Sequence, residues 1–285
     1  MKAWPGSVAV VTGAGSGIGR ALALAMSARG AQVVVTDIDE AAAATVAAEC
    51  GPKATAHHLD VRDATAVQAL IDATFRLHGR LDYVFNNAGI GIGGEAHEIS
   101  RAAWERIIDV NLRGVMHGTL AAYPLMLKQG WGHIINTASL AGLGAAPLLA
   151  PYAMTKHAVV GLTSSLRLEA AAHGVRVSAL CPAAIETPLL DKGGPADLPV
   201  MDWVPDLRRY LSRLAGPPHP VAKFAEQALT AIERNQGVIV IPGRARLTWV
   251  VSRFFPGVAE KIGLSEVQAE RASRIRSVPI GVPLL

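Results

Sequence analysis

Tyr152 and Lys156, two side chains able to manage a proton, stand one helical turn apart in Pro151-Tyr152-Ala153-Met154-Thr155-Lys156. A phenol titrates near ~10 and exchanges protons poorly at neutral pH on its own. Residues i and i+4 share a helix face, so the ammonium can sit beside the ring and stabilise the phenolate. At ~4 Å and an effective dielectric of ~20 that attraction reaches at most ~4 kcal/mol, or roughly three pKa units. The same spacing also occurs in plain surface pairs. The pair gains meaning only from what the rest of the chain places around it.

A second group suits phosphate. Thr12-Gly13-Ala14-Gly15-Ser16-Gly17-Ile18-Gly19 follows a β-branched run and opens a helical stretch. Glycines permit the tight turn and let backbone N–H groups approach a pyrophosphate, whose charge the helix N-terminus favours. The flanking strand and helix are the context that such a loop requires. Asp37, eighteen residues past Gly19, ends the next predicted strand. Its carboxylate can accept hydrogen bonds from an adenosine ribose and would repel a 2′-phosphate. With Ile38 and Asp39 following it, NAD is favoured over NADP. Asp39 is the better cap for the helix that follows. Asp60, with Val61 after it, closes a third strand and can hold an adenine edge, while Asp63 is the better cap there.

The elements that must position these groups are legible in the pattern. Strands are expected at Val8–Thr12, Gln32–Thr36, Ala54–Leu59, Leu81–Phe85, His133–Thr137, Val175–Leu180 and Val238–Ile241. Helices are expected near Ile18–Arg29, Glu40–Cys50, Ala64–His78, Arg101–Lys128, Tyr152–His173 and Val221–Arg234. Strands apolar on both faces, alternating with Ala-rich helices, predict an α/β fold: a doubly wound, Rossmann-type, seven-stranded parallel sheet flanked by helices. One domain is expected over residues 1–243, with a Pro-rich substrate loop at 182–220 and a basic C-terminal extension at 244–285.

Composition narrows the functional class. The formal net charge is +4, and the extension supplies it: Arg244, Arg246, Arg253, Lys261, Arg271, Arg274 and Arg276 stand against Glu260, Glu266 and Glu270. The remainder is neutral, which argues against a nucleic-acid surface. Cys50 and Cys181 lie far apart without metal-ligand spacing, so neither a disulfide framework nor a metal site is expected. With no secretory leader or membrane-spanning apolar run evident, a cytoplasmic location is expected. The extension also carries Trp249, Phe254 and Phe255. It is expected to pack over the pocket or against another subunit, in preference to contacting a membrane.

The glycine loop, Asn86-Asn87-Ala88-Gly89 after the fourth strand, and Tyr152-x-x-x-Lys156 occur in this order, each at a strand end. The chain in this respect resembles the short-chain dehydrogenase/reductase family over roughly Lys2 to Pro242. The resemblance implies an NAD-dependent oxidoreductase with a catalytic tetrad of Asn111, Ser139, Tyr152 and Lys156. It places Asn87, Ala88 and Gly89 at the cofactor and the nicotinamide ribose on Tyr152 and Lys156. Asn111 would position Lys156 through a relay of waters. The chemistry is consistent: Ser139 can donate to a substrate oxygen as negative charge develops, and Tyr152 exchanges the proton with that oxygen. Where the family usually has Pro-Gly after the sixth strand, this chain has Pro182-Ala183. A position there with φ > 0 would strain Ala183, yet Pro182, Ile185 and Thr187 remain available to the carboxamide side of the nicotinamide.

The resemblance also implies where substrate lies, against Leu140, Leu149, Met154, Leu189 and Leu190, with Leu143, Leu148, Met201 and Trp203 nearby. An apolar pocket with one polar end suits a hydrophobic secondary alcohol or its ketone. A homotetramer or homodimer is expected by analogy. A catalytically silent, dinucleotide-sensing protein of the same fold is the alternative, and a retained Ser139, Tyr152 and Lys156 argues against it.

Overall fold

The computed structural model describes residues 4–191, 197–198 and 203–277. Met201, one of the residues expected near substrate, lies outside them. The strands are β1 (Val8–Thr12), β2 (Gln32–Asp37), β3 (Ala54–His58), β4 (Tyr83–Asn86), β5 (Gly132–Thr137), β6 (Val175–Pro182) and β7 (Val238–Ile241). They form one seven-stranded parallel sheet in the order β3-β2-β1-β4-β5-β6-β7. In chain order the helices are α1 (Gly17–Ala28), α2 (Glu40–Cys50), α3 (Ala64–His78), α4 (Arg101–Ile108), α5 (Gly114–Gln129), α6 (Ala150–Ala171), α7 (Leu207–Ala215), α8 (Val221–Glu233), α9 (Ala245–Phe254) and α10 (Pro256–Ser277).

Burial on both faces explains the unbroken apolar runs of β1 and β4. On one side Leu22 and Met26 of α1, Val46 of α2 and Phe224 of α8 pack on Val11, Val33 and Val35. On the other, Ile71 of α3, Met126 of α5 and Leu166 of α6 pack on Val10, Val84 and Ile134. Each such side chain, fully buried, contributes ~1.5–3 kcal/mol. The chain builds β1, β2 and β3 outward in one direction, then returns so that β4 pairs with the free side of β1. At such a reversal the connections leave in opposite directions, and a crevice opens beyond the carboxyl ends of the strands.

Three departures from the sequence reading bear on function. The helix expected over Arg101–Lys128 is interrupted by a π-helical turn at Asp109–Arg113, and that turn carries Asn111. Single-turn π insertions bulge a helix locally and recur at functional sites. The segment 182–220 is only partly loop: a 3-10 turn at Pro188–Leu190 and α7 lie within it. α7 escaped notice because it is short and polar between apolar positions, with its start marked by Asp206, whose carboxylate caps Arg209 N. Within the expected extension, Ala245–Phe254 and Pro256–Ser277 form the helical pair α9–α10, which folds back over the crevice.

Candidate active site

The glycine loop is built for close approach. Gly13 has φ +63°, and a Cβ there would lie 2.6 Å from Ala88 Cα. A Cβ on Gly19 would come within 2.6 Å of Asn87 Nδ2 and run into the Gly13 carbonyl. The turn after β1 thus rests directly on the segment after β4, and Thr12 ties the two together. Its Oγ1 accepts from Asn87 N at 3.0 Å and Ala88 N at 3.1 Å, while Asn87 Nδ2 donates to Thr12 O at 3.0 Å. The sequence reading passed over Thr12, although a hydroxyl at the last position of a buried strand was the available signal. Ser16, at the N-cap of α1, makes no side-chain capping bond. The first-turn amides of α1 therefore have no acceptor from their cap, and Gly13, Ser16, Gly17 and Ile18 line the cavity beside them. A helix N-terminus in this state fits a pyrophosphate.

Asp37 lies at the end of β2 and lines the same cavity. Its Oδ2 accepts from Gly15 N at 2.8 Å and its Oδ1 from Asp39 N at 3.0 Å. A carboxylate has about four acceptor positions, so roughly two remain for a ribose diol. Asp39, as expected, caps α2 by accepting from Ala42 N, and Asp63 caps α3. Asp60 and Val61 also line the cavity. The Arg62 guanidinium grips the Asp60 carboxylate from two nitrogens and holds it below the usual carboxylate range. Arg62 itself lines the cavity, a role the sequence reading missed, although the Asp-x-Arg spacing at a strand end was visible.

The four residues expected to form a tetrad lie on different elements, Asn111 on the π turn, Ser139 after β5, and Tyr152 and Lys156 on α6. Ser139 follows β5 and is buried; its Oγ accepts from Ala141 N at 3.1 Å, and its hydroxyl proton faces the Tyr152 phenol. Tyr152 stands in the first turn of α6, and Lys156 one turn later is buried, donating from Nζ to Thr137 O at 2.8 Å. Lys156 Nζ lies 5.6 Å from the centre of the Tyr152 ring. Asn111 is fully buried and bonds both sides of residue 90: Oδ1 accepts from Ile90 N at 2.8 Å and Nδ2 donates to Ile90 O at 3.0 Å. Gly89 lies between Asn111 and Lys156, since a Cβ there would lie 3.3 Å from Asn111 Oδ1 and 3.6 Å from Lys156 Nζ.

The electrostatics differ from the simple pair picture. Burial raises the Tyr152 phenol above its ordinary value, and a hydrogen bond with Ser139 opposes this in part. Burial pulls Lys156 down to about 8. Desolvation is the largest influence on the phenol, and Lys156 Nζ, 5.6 Å from the ring centre, does not reverse it.

Ala183 carries no strain. Among the described residues, Leu148 and Asn235 are the non-glycine positions with positive φ, and Ala183 N continues the β6–β7 ladder by donating to Ile241 O at 2.9 Å. Pro182, Ile185 and Thr187 line the cavity beside it, as do Asn87, Ala88 and Gly89.

The cavity measures about 1530 Å³ and continues from the glycine loop past Tyr152 to a chamber walled by α7, α9 and α10. Leu140, Leu149, Leu189 and Leu190 line it. Met154 does not. It follows Tyr152 by two residues, which on a helix of 3.6 residues per turn sends it ~200° round to the solvent side, where it is exposed. Leu143 and Leu148 are packed outside the lining, and Trp203 instead stacks under the Arg274 guanidinium at 5.4 Å. Tyr210, Leu211 and Leu214 of α7, with Leu247, Val251 and Val267 from the extension, supply the wall that the sequence reading did not foresee.

A doubly wound parallel sheet with a phosphate-fitting glycine loop and a Ser–Tyr–Lys group at the same strand ends defines a dinucleotide-dependent oxidoreductase architecture. Residues 7–197 match the short chain dehydrogenase family, and the chain belongs to that family of oxidoreductases. A 2,5-dichloro-2,5-cyclohexadiene-1,4-diol dehydrogenase of Sphingobium indicum is 37% identical over 228 residues, covering 79% of this chain and 87% of that one. A cyclohexanol dehydrogenase of Acinetobacter sp. is 40% identical over 187 residues, 64% of this chain and 74% of its own. A short chain dehydrogenase/reductase from Burkholderia phymatum, solved in complex with NAD, superposes with a TM-score of 0.80 at 34% identity, covering 93% of this chain and 97% of that one.

Proposed function

We propose that the protein interconverts a hydrophobic secondary alcohol and its ketone, with NAD as the redox partner. The observation that carries this reading is that Ser139, Tyr152 and Lys156 meet the glycine loop and Asp37 in one cavity whose far chamber is apolar. Two relatives named for ring alcohols support a cyclic or comparably compact reacting end. The NAD of the Burkholderia phymatum structure and the carboxylate at Asp37 support NAD over NADP.

Gly13, Ser16, Gly17 and Ile18 would hold the pyrophosphate, Asp37 the adenosine ribose, and Pro182, Ile185 and Thr187 the carboxamide side. The nicotinamide, when bound, accepts or supplies the hydride. The protein's own work is at the oxygen. Ser139 turns its hydroxyl proton from the Tyr152 oxygen to the substrate oxygen and fixes it beside the Tyr152 hydroxyl. In reduction Tyr152 protonates that oxygen; in oxidation it removes the proton. Lys156 is still mostly cationic at pH 7 and offsets the charge left on Tyr152. Asn111 holds the segment at Ile90, and with it Gly89, against the rear of the site. A homo-oligomer is consistent with Met116 and Leu120 of α5 and Met154 and Leu168 of α6, all exposed.

The test is formation of NADH from NAD over cyclic, terpenoid, aryl and aliphatic secondary alcohols. NAD-linked turnover with a preference for apolar substrates is expected. Tight NADH binding with no turnover on any alcohol or ketone would transfer the protein to the sensing alternative.

A further inference from the structure

The inner and outer faces of the C-terminal helical pair are chemically different. On the inner side, Arg209 of α7 and Arg271 and Arg274 of α10 are paired. Arg209 grips the buried Glu270 from Nε at 3.0 Å and Nη2 at 2.7 Å, Arg271 binds Glu95, and Arg274 binds Glu98 at 2.9 Å. On the outer side, Leu247, Val250 and Phe254 fall at i, i+3 and i+7 of α9, one stripe of the helix. Phe254 and Phe255 are 71% and 59% exposed, and Val258 and Ile262 continue the apolar surface along α10. Arg246, Arg253 and Lys261 flank this surface, exposed, and among the described residues none of them enters an ion pair.

The outer surface is continuous with the cavity. Leu247, Ile262 and Leu264 line it and are at the same time 69%, 46% and 57% exposed, so cavity mouth and apolar tip share residues. Among the described residues no helix is long and apolar enough to cross a membrane.

We propose that the α9–α10 tip seats on an anionic lipid surface, Phe254 and Phe255 entering the headgroup layer and Arg246, Arg253 and Lys261 meeting lipid phosphates, so that a lipophilic alcohol passes from the bilayer into the cavity between the helices. The substrate part of this statement rests on the dehydrogenase reading; the docking does not. A helix with an apolar stripe rimmed by cations lies in an interface in this way. Each basic residue near an anionic surface contributes roughly a fivefold gain in partitioning. A second copy is the weaker occupant, because it adds three more cations to the interface and only the one exposed acid of this tip, Glu260.

The experiment is flotation of the full chain with phosphatidylcholine vesicles and with vesicles containing phosphatidylserine. Flotation with the anionic vesicles, weakened by salt, is expected. Phe254→Ser/Phe255→Ser and Arg253→Glu/Lys261→Glu should each reduce it at least about fivefold. Both variants should keep wild-type turnover of a short soluble alcohol, which shows that they are folded. Wild-type protein that floats with neither vesicle, or variants that float as well as wild type, would overturn the docking. A dimer dissolved by Phe254→Ser/Phe255→Ser, without flotation, would assign the surface to a second copy and overturn it too. Failure of the dehydrogenase reading appears separately, as absent alcohol turnover in a protein that still floats.

Discussion

Lys156 Nζ donates to the carbonyl oxygen of Thr137 at 2.8 Å while lying 5.6 Å from the centre of the Tyr152 ring. The lysine is thereby fixed from behind by the last residue of β5, at a set distance from the phenol. On the proposed reading, with Lys156 held there and the Ser139 hydroxyl acting on the phenol, Tyr152 is the proton-exchanging group. Tyr152→Phe removes that proton and leaves the ring volume. It should lower kcat by about 10²–10⁴-fold with the affinity for NADH within a fewfold of wild type. Turnover and fluorescence titration measure the two; undiminished kcat would remove Tyr152 from the role.

Burial pulls Lys156 from 10.5 to about 8, and this ties the residue to stability. Between pH 8 and 10.5 the unfolded chain keeps a proton that the folded chain has lost. Stability from this group therefore rises with pH through that window, and its cost is fully present below it. The full shift corresponds to roughly 3 kcal/mol, and losing the bond to Thr137 returns about 1 kcal/mol of it. Lys156→Met should thus be more stable than wild type by about 1–2 kcal/mol at pH 7 and should show a flatter rise from pH 8 to 10.5. Urea unfolding across that range measures both, and an unaltered slope would count against the assignment.

The parts of this site that could be read beforehand were those governed by local rules. Gly13 and Gly19 announce a turn where a side chain has no room, and Asp39 and Asp63 announce helix starts because each binds amides two or three residues on. Met154 was misplaced because the expectation followed its neighbourhood in sequence, whereas helical phase decides its face. The chamber wall was hidden for a different reason. Tyr210 meets Pro147 through a hydrogen bond of 2.9 Å, and Arg209 meets Glu270, sixty-one residues away; no periodicity reports contacts of that span. The π turn at Asn111 is equally silent, since its residues also suit an uninterrupted helix.

Asp37 spends two acceptor positions on Gly15 N and Asp39 N and keeps its charge facing the cavity. Asp37→Asn retains an acceptor oxygen for the glycine loop and removes the repulsion toward a 2′-phosphate. The ratio of kcat/KM for NAD to that for NADP should fall by at least about tenfold, equivalent to ~1.4 kcal/mol. Steady-state kinetics with both cofactors measures it. A ratio unchanged by the substitution would mean that charge at Asp37 does not select the cofactor.

Glu270 is fully buried, and its carboxylate is held by Arg209 at 2.7 Å, with Arg213 farther off at 3.5 Å. This pair joins α7 to α10, two elements of the chamber wall. Arg209→Met leaves a buried carboxylate without its main donor, at a cost of about 1–3 kcal/mol. That cost falls on the docking of α10, because the sheet does not depend on it. Hydrogen exchange in residues 256–274 should therefore accelerate about tenfold or more, with β1 and β4 unaffected. KM for a bulky alcohol should rise as Val267 and its neighbours lose their fixed place, while kcat for a small alcohol stays near wild type. In Arg209→Met/Glu270→Leu both partners are apolar, and an apolar replacement of a buried pair is often neutral. The double variant should regain most of the exchange protection. If the single variant exchanges like wild type, the Arg209–Glu270 pair does not hold the wall.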